Sequence, residues 1–421
     1  MEKLAILGTG IAGMGCAHFL QHHYDLTLFE KNDYIGGHTH TVKVKEGERE
    51  VPIDTGFIVC NPINYPNLWQ LFEELEVPLK PANMSFSVQH QPSNLEYSGS
   101  GLNGLFGQRR NILNPRFIRM LKEVERFNKD CTVVLEGGKY TDLSVKDFVS
   151  HFKYSPDFSD QYLLPLSSAL WSTPPELSLQ FPMVSLVKFL NNHGMLGLNT
   201  HFQWYTVEQG SWTYRDRLIA PFRDRIQVNK GVHQVKRLAG QVEVSTTDGE
   251  KQLFDRVILA CHADQALDVL EDPKEEEINL LGQFLYQTNQ ALLHNDSSVM
   301  PKRKRLWSSW NYRLEELNGQ LKASTHYYMN SLQGLSDQVD YFLSINDPGQ
   351  VDPDSAIKQI TYEHPIFTVG AFKAQEALEQ LNDESSVLFC GSYFGNGFHE
   401  DAFVSALNLC EKLTRREVGV E

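Results

Sequence analysis

The stretch Leu4-Ala5-Ile6-Leu7-Gly8-Thr9-Gly10-Ile11-Ala12-Gly13-Met14 decides how the rest of the chain is read. Four apolar residues make a short strand. Gly8, Gly10 and Gly13 follow at GxGxxG spacing, ahead of a segment with helical apolar spacing that includes Ala17 and Leu20. The first glycine permits a tight strand-to-helix turn, the second lets backbone approach a pyrophosphate, and the third lets the helix pack closely on the sheet. Phosphates then meet unpaired N–H groups and the positive end of the helix dipole. A second strand, Asp25 to Phe29, ends at Glu30, about 20 residues past the glycines, where a carboxylate can bind ribose hydroxyls and disfavours a 2′-phosphate. The spacing recurs at Gly99, Gly101 and Gly104, but with no apolar strand before it and no clear helix straight after it. Only the first set is therefore expected to hold a dinucleotide.

Composition bounds the function classes. With 421 residues, 41% apolar and 22% charged, the chain is long enough for two or three domains of ~100–150 residues with a sizeable core. A net charge of -15 argues against nucleic acid, which is bound through clustered Lys and Arg. Cys16, Cys60, Cys131, Cys261, Cys390 and Cys410 are scattered without a CxxC pair, so neither a metal site nor a disulfide framework is expected, and a reducing cytoplasm fits. His38 and His40, with Asp54 nearby, lack a second ligand pair and read as a loop rather than metal ligands. The opening residues do not form a signal peptide, and no run approaches the ~20 apolar residues of a spanning helix. Cytoplasmic location is expected, with peripheral contact at the inner membrane face left open. There is no GxSxG, HExxH or P-loop.

After Glu30 come Gly36 and Gly37 in KNDYIGGHTHTV, then VPIDTGFIV around Asp54 to Val59. Between Gly231 and Ala260 lie alternating valines, an Asp248-Gly249 turn and a buried-looking strand. VLFCG at Val387–Gly391 precedes SYFGNGFHEDA and a last helix, on which Phe403, Ala406, Leu407, Cys410 and Leu413 share a face, with Glu400 and Asp401 in the first turn and Arg415 and Arg416 in the last. These segments resemble the flavin amine oxidase and phytoene desaturase superfamily. Within it the chain is most similar to a bacterial group of NAD/FAD-binding, amine-oxidase-like proteins, through GTGIAGM, FEKNDYIGGHTHTV, DTGFIV, YPNL, MSFSV, LEYSG, WSTPP, MPKRKRLWSSWNY and GFHEDA.

The resemblance implies an α/β fold: a Rossmann-like FAD-binding domain of glutathione-reductase/amine-oxidase type (1–80, 210–284 and 387–421) with an interleaved α+β substrate domain (81–209 and 285–386). It implies non-covalent FAD, held by Gly8, Gly10, Ile11, Ala12, Gly13, Glu30, Lys31, Gly36, Gly37, His38, Thr55, Gly56, Phe57, Ile58, Val235, Ala260, Gly391, Ser392, His399, Glu400, Asp401 and Ala402, with the Val235 backbone beside the adenine. Genes of this group often neighbour cyclopropane-fatty-acid-synthase-like methyltransferases, which implies a lipid-modifying context and a partner methyltransferase.

The two substrate blocks are rich in aromatics, including Trp171, Phe181, Trp204, Tyr205, Trp212, Trp307, Trp310, Tyr312, Tyr327 and Tyr328, which either line an apolar pocket or are ordinary core. Flavin oxidation needs little acid–base machinery, so no strong catalytic motif is expected. Where the superfamily's amine oxidases carry a lysine, this chain reads YQTNQALLH, with Asn289 near that position. The expected function is thus two-electron oxidation or desaturation of a small-molecule or lipid substrate, with amine oxidation, a non-redox partner role and redox-neutral isomerisation as alternatives. Candidate catalytic residues are His399, Asn289 and Tyr328. From Arg116 to Phe127, Phe117, Met120, Leu121, Val124 and Phe127 share a face rimmed by basic residues, and Lys302 to Arg305 adds a basic run. That pattern suits either an anionic membrane surface or, more commonly, a helix facing its own core.

Overall fold

The apolar run before the glycines forms strand β1 (Lys3–Leu7), with Leu4, Ala5 and Ile6 wholly buried. It is the centre of a five-stranded parallel sheet. On one side lie β2 (Asp25–Phe29) and Ile226–Gln227, and on the other Arg256–Leu259 and Val387–Phe389. Strands buried on both faces read as continuous apolar runs, which is why the β1 and Val257–Leu259 sequences look alike. This computed structural model describes residues 1–137, 140, 143–171, 174–197 and 202–418. Ser172 and Thr173 of the WSTPP stretch, and the Arg416 side chain, lie outside the described residues.

Helix α1 (Ile11–Leu20) links β1 to β2 and packs against the His399–Val418 helix. A Cβ on Gly15 would stand 3.1 Å from the Phe403 ring, so the glycine lets the terminal helix seat closely. Phe403, Ala406, Cys410 and Leu413 are buried and Leu407 is partly so, the face the spacing predicts.

A seven-stranded sheet runs, in order, Ala356–Ile366, Leu285–His294, Phe342–Ile345, Gln320–Tyr328, Trp310–Leu317, Phe86–His90 and Leu95–Ser98. Only the Trp310–Leu317 and Phe86–His90 pair is parallel. Helices Pro115–Gly137, Val145–His151, Leu164–Trp171 and Met183–Asn192 build the core beside it. Phe117, Met120 and Phe127 are buried there, so the Arg116–Phe127 segment is a helix facing its own core; Arg116 and Arg119 on its rim bind Asp157. Trp171, Phe181 and Tyr312 are likewise core.

Two expectations need correction. The second glycine set does follow a buried strand, Leu95–Ser98, and its Gly101 and Gly104 lie within a helix, Gly101–Leu105. That strand is an antiparallel edge and the helix has five residues, so no βαβ unit forms and no crevice opens beside a parallel strand. The division at 80/81 falls inside strand Leu79–Ala82, which is hydrogen-bonded to Trp204–Val207; composition cannot reveal that pairing.

The buried Asp54 carboxylate ties these parts together. It ends the hairpin of Thr41–Glu46 and Arg49–Asp54. Its Oδ1 accepts from Thr41 Oγ1 and from Ser211 Oγ at 2.8 Å, the Ser211 N–H donates to it at 2.9 Å, and its Oδ2 accepts from Gln333 Nε2 at 2.7 Å. Gln333 Oε1 in turn accepts from the Asp54 N–H at 2.9 Å. Burial pushes the carboxyl up to about 6 against the pull of these donors. Asp54→Ala strands several buried donors, each worth about 1–3 kcal/mol when left unpaired. Its urea midpoint is expected well below that of the unaltered chain, and an unchanged midpoint would show that Asp54 does not carry this junction.

Candidate functional site

The three glycines of the first set differ in what surrounds them. Gly8 has φ +101, and a Cβ there would lie 2.6 Å from the Ala260 carbonyl oxygen; at Gly13 it would lie 2.0 Å from the Gly8 oxygen. Both positions are closed by backbone, and Ala260 packs against both. Gly10 has ordinary extended angles, φ -63 and ψ 176, and nothing lies within 4 Å of a Cβ built on it. It caps α1 with no side-chain hydrogen bond, so the first N–H groups of the helix, at Ile11, Ala12 and beyond, adjoin an open cradle. The Gly36-Gly37 turn passes over this loop, with a Gly37 Cβ only 3.3 Å from Gly10 Cα. His38 and His40 latch the next run: Phe57 N–H donates to His38 O at 2.7 Å and Thr55 N–H to His40 O at 2.9 Å. A Cβ on Gly56 would lie 2.1 Å from His38 O, and Ile58 follows as a carbonyl acceptor for Thr206.

Glu30 is buried at the end of β2. Its Oε2 accepts from the Thr9 N–H and hydroxyl, and its Oε1 from the Asn32 N–H and amide. It thus locks the glycine loop to the strand. Exposed Lys31 lies beside Gly231, and Lys230 N–H donates to Glu30 O at 2.8 Å. The adjoining strand Val232–Arg237 therefore meets this end through its first residues, not through Val235. Val235 is wholly buried, its N–H donates to Val269 O and its carbonyl accepts from Glu271 N–H. Both backbone groups of Val235, expected beside the adenine, are thus taken up within the protein.

The terminal motif is engaged largely within the protein. Gly391 N–H donates to Ser405 Oγ, and the Ser392 carbonyl accepts from Gly395 and Gly397. Glu400 does not face the cradle. Its carboxylate accepts from the Asn67 and Leu68 N–H groups, capping the Pro66–Glu74 helix. Asp401 accepts from Phe398 N–H and burial raises it to about 6, while Ala402 packs in the core with α1. His399 stacks on Phe57 at 4.1 Å, and its Nε2 is 2.8 Å from Tyr214 Oη and 3.2 Å from Thr39 Oγ1. A cavity of about 480 Å³ opens beside this motif, lined by Tyr65, Phe189, His193, Phe398 and both acids.

A second group forms where the cradle meets the seven-stranded sheet. Gln290 N–H donates to Asn346 Oδ1 at 2.9 Å, so the Asn346 amide nitrogen is what reaches Asn289 Oδ1 at 2.6 Å. Asn289 Nδ2 is then the donor to His364 Nδ1 at 2.8 Å, and the His364 proton lies on Nε2. His38 stacks on Tyr362 and lies 5.5 Å from His364, ring to ring. Its buried Nε2 has no partner among the described residues. Tyr362 reaches His40 Nδ1 and Thr55 Oγ1. Burial pulls His38 down to about 4 and His262, His364 and His399 to about 3, so all four are neutral near pH 7.

Tyr328 is not brought to this group. It lies opposite Phe342, which pairs with His294, five residues along the strand from Asn289, or about 17 Å. Its hydroxyl donates to Asp340, between Trp307 and Phe342. His364 and Tyr362 escaped the sequence reading. Their signal, polar residues before Pro365 in a strand, gains meaning only from the pairing of Asn289 with Tyr362.

The structural comparisons establish the fold. A fatty acid isomerase described as CLA-producing, from P. acnes, superposes with TM-score 0.66 at 14% identity, covering 98% of each chain. Cyclohexylamine oxidase from Brevibacterium oxydans IH-35A gives 0.68 at 13%, covering 98% of this chain and 100% of that one. Putrescine oxidase bound to putrescine gives 0.66 at 12%, covering 99% of each. The fold, a glycine cradle on a parallel sheet joined to the seven-stranded sheet, is thus shared with these proteins along nearly their whole length. The model of the flavin-containing amine oxidoreductase family matches residues 11–322, and the chain belongs to that family. It is an FAD-dependent oxidoreductase that holds FAD non-covalently. Its residues fit the cofactor: the open cradle at Gly10, uncapped N–H groups of α1 and the orphaned Nε2 of His38 all await a polar group from outside the chain.

Two outcomes follow. Gly10→Val fills only open space at permitted backbone angles, so the variant should fold with an unchanged circular dichroism spectrum yet lose bound flavin absorbance; Gly13→Val should fail to fold. A yellow Gly10→Val protein would move the pyrophosphate elsewhere. In the unfolded chain the four imidazoles titrate near 6.5, but in the fold only at about 3 to 4. The unfolded state binds more protons between those values, so their share of stability is lost as pH falls below 6.5. Asp54 and Asp401 act oppositely, gaining stability as pH falls through about 6, but are two against four. The melting temperature should therefore drop from pH 7 to pH 5; a rise would show that the carboxyls dominate.

Proposed function

We propose that this oxidoreductase removes two hydrogens from a neutral, apolar substrate, with a fatty-acyl chain or related lipid as the substrate class. The observation that carries the reading is the neutrality of the group around Asn289. Where the related amine oxidases place a lysine, an amide holds His364, and the neighbouring imidazoles are uncharged. The carboxylate beside them, Glu363, is at the rim, 3.6 Å from His262 Nδ1. Asp54 is fully engaged by its donors. A cationic amine finds no free buried carboxylate among the described residues here.

FAD, when bound, supplies the two-electron acceptor. The chain's own part is placement. The Asn346–Asn289 pair fixes the His364 ring and keeps the proton on its Nε2, which can donate to an acyl carbonyl or carboxyl oxygen. Phe189 and Phe398, stacked at 5.1 Å, give the nearby cavity an apolar wall. The acids lining it, Glu400 and Asp401, are bound to backbone donors.

The test is anaerobic titration of the holoenzyme with acyl lipids and with primary and secondary amines. Bleaching of the flavin by an acyl lipid, with a product two hydrogens lighter, is expected, and reduction by amines alone overturns the reading. A product of unchanged mass would mean isomerisation, the activity named for the P. acnes relative in fold. A flavin that neither class reduces would favour a non-redox role beside a lipid methyltransferase.

A further inference from the structure

We propose that the surface built from residues 101–122 and 302–305 docks the enzyme on an anionic phospholipid bilayer. The observation behind this is a cluster of bare apolar side chains among cations, five of which have no carboxylate partner among the described residues. Leu102 is 75%, Ile112 53% and Leu113 88% exposed, in a protein whose other large apolar residues mostly lie inside. From Gly101 to Lys122 the chain has five basic residues and no acid, and Lys302 to Arg305 adds four in a row, although the whole chain carries -15. Arg109 and Arg110 are held by neutral oxygens, of Asn103, Phe106 and Asn94. Among the described residues, Arg109, Arg110, Lys122, Lys302 and Arg305 have no carboxylate side-chain partner.

Both segments belong to one surface, because both pack on the edge strand Leu95–Ser98. Gln108 Nε2 and Arg110 reach the carbonyl of Asn94, just before the strand, while Lys302 N–H and Arg303 reach Glu96 within it. Gly107 has no room for a Cβ because Leu306 lies against it. The apolar face of the Arg116–Phe127 segment is inside the core; the exposed apolar side chains are Leu102, Ile112 and Leu113, in the short helical turns before it. Leucine and isoleucine tips set in a basic ring suit the bilayer interface, where the tips leave water and the cations meet phosphate head groups. A second copy would oppose these five unpaired cations with five of its own, and a phosphate backbone alone would leave the apolar tips unmatched. The acidic remainder of the molecule turns the basic face toward the bilayer. This inference is independent of the substrate reading, since docking needs neither acyl binding nor turnover.

The experiment is sedimentation of the FAD-loaded protein with vesicles of phosphatidylcholine alone or mixed with phosphatidylglycerol. Binding is expected only to the mixed vesicles, with release at high salt. Arg109→Glu with Arg110→Glu should weaken it roughly tenfold or more, each basic residue at such a surface being worth about fivefold. Leu102→Asp with Leu113→Asp should weaken it by a similar factor. Flavin absorbance should not move, as these side chains are exposed. Equal binding to both vesicles, binding to neither, or binding untouched by either double variant overturns the proposal. So does a dimer in vesicle-free solution that the leucine variant breaks.

Discussion

The arrangement depends on placing one carboxylate where three remote stretches of chain converge. Asp54 closes the hairpin that follows the Gly36-Gly37 turn, and it holds Ser211, just before the Trp212–Ile219 helix, and Gln333, at the end of the Met329–Gln333 helix in the block that builds the seven-stranded sheet. A buried anion is costly unless its lone pairs are all met, so the site tolerates little relaxation. Thr55, next in the chain, binds His40 O and Tyr362 Oη. The same knot therefore sets the distance between the glycine cradle and the sheet that carries Asn289 and His364. The cradle and the Asn289–His364 pair are positioned through backbone and short polar side chains, which have few rotamers to lose.

What could be read from the sequence was whatever local periodicity and backbone need dictate. Gly8 and Gly13 are required by contacts within one βα turn, so their spacing carries its own explanation. The buried face of the terminal helix is a 3.6-residue pattern, and Phe403, Ala406, Cys410 and Leu413 obey it. What could not be read depends on register between distant strands. Val232 and Val235, three residues apart, fall on opposite faces of an alternating strand, and only the pairing of Val235 with Leu270 shows which one is internal. Tyr328 and Asn289 both lie in polar-aromatic stretches, and only the ladder through Phe342 and His294 separates them along the sheet.

Glu400 teaches a related point. An acid in the first turn of a helix suggests interaction with that helix's own dipole or with a ligand at its end, and the sequence offers nothing further. Here it caps a different helix, over 300 positions earlier in the chain, because the Pro66–Glu74 helix begins with a proline and lacks a side-chain cap of its own. The unmet N–H groups of one helix thus recruit the carboxylate of another. Burial leaves Asp401, beside it, with a raised affinity for protons, and the motif's two acids end as structural groups.

The histidines make the same argument in reverse. His38, His364 and His399 are far apart in sequence, and of the three only His399 reads there as a candidate catalytic group. Packed together in a dry region they cannot all carry charge, so burial holds each neutral and the hydrogen-bond network decides the tautomers. His399 has its Nε2 occupied by Tyr214 and Thr39, which makes it a positioning group for Phe57 and the terminal helix. His364 keeps its proton on the nitrogen not bound to Asn289, and His38 keeps an unpartnered nitrogen in the same space. The proposed preference for an uncharged substrate oxygen over ammonium rests on this region of neutral donors without an opposing charge, built around Asn289, near the position where the resemblance implies a lysine in the family's amine oxidases.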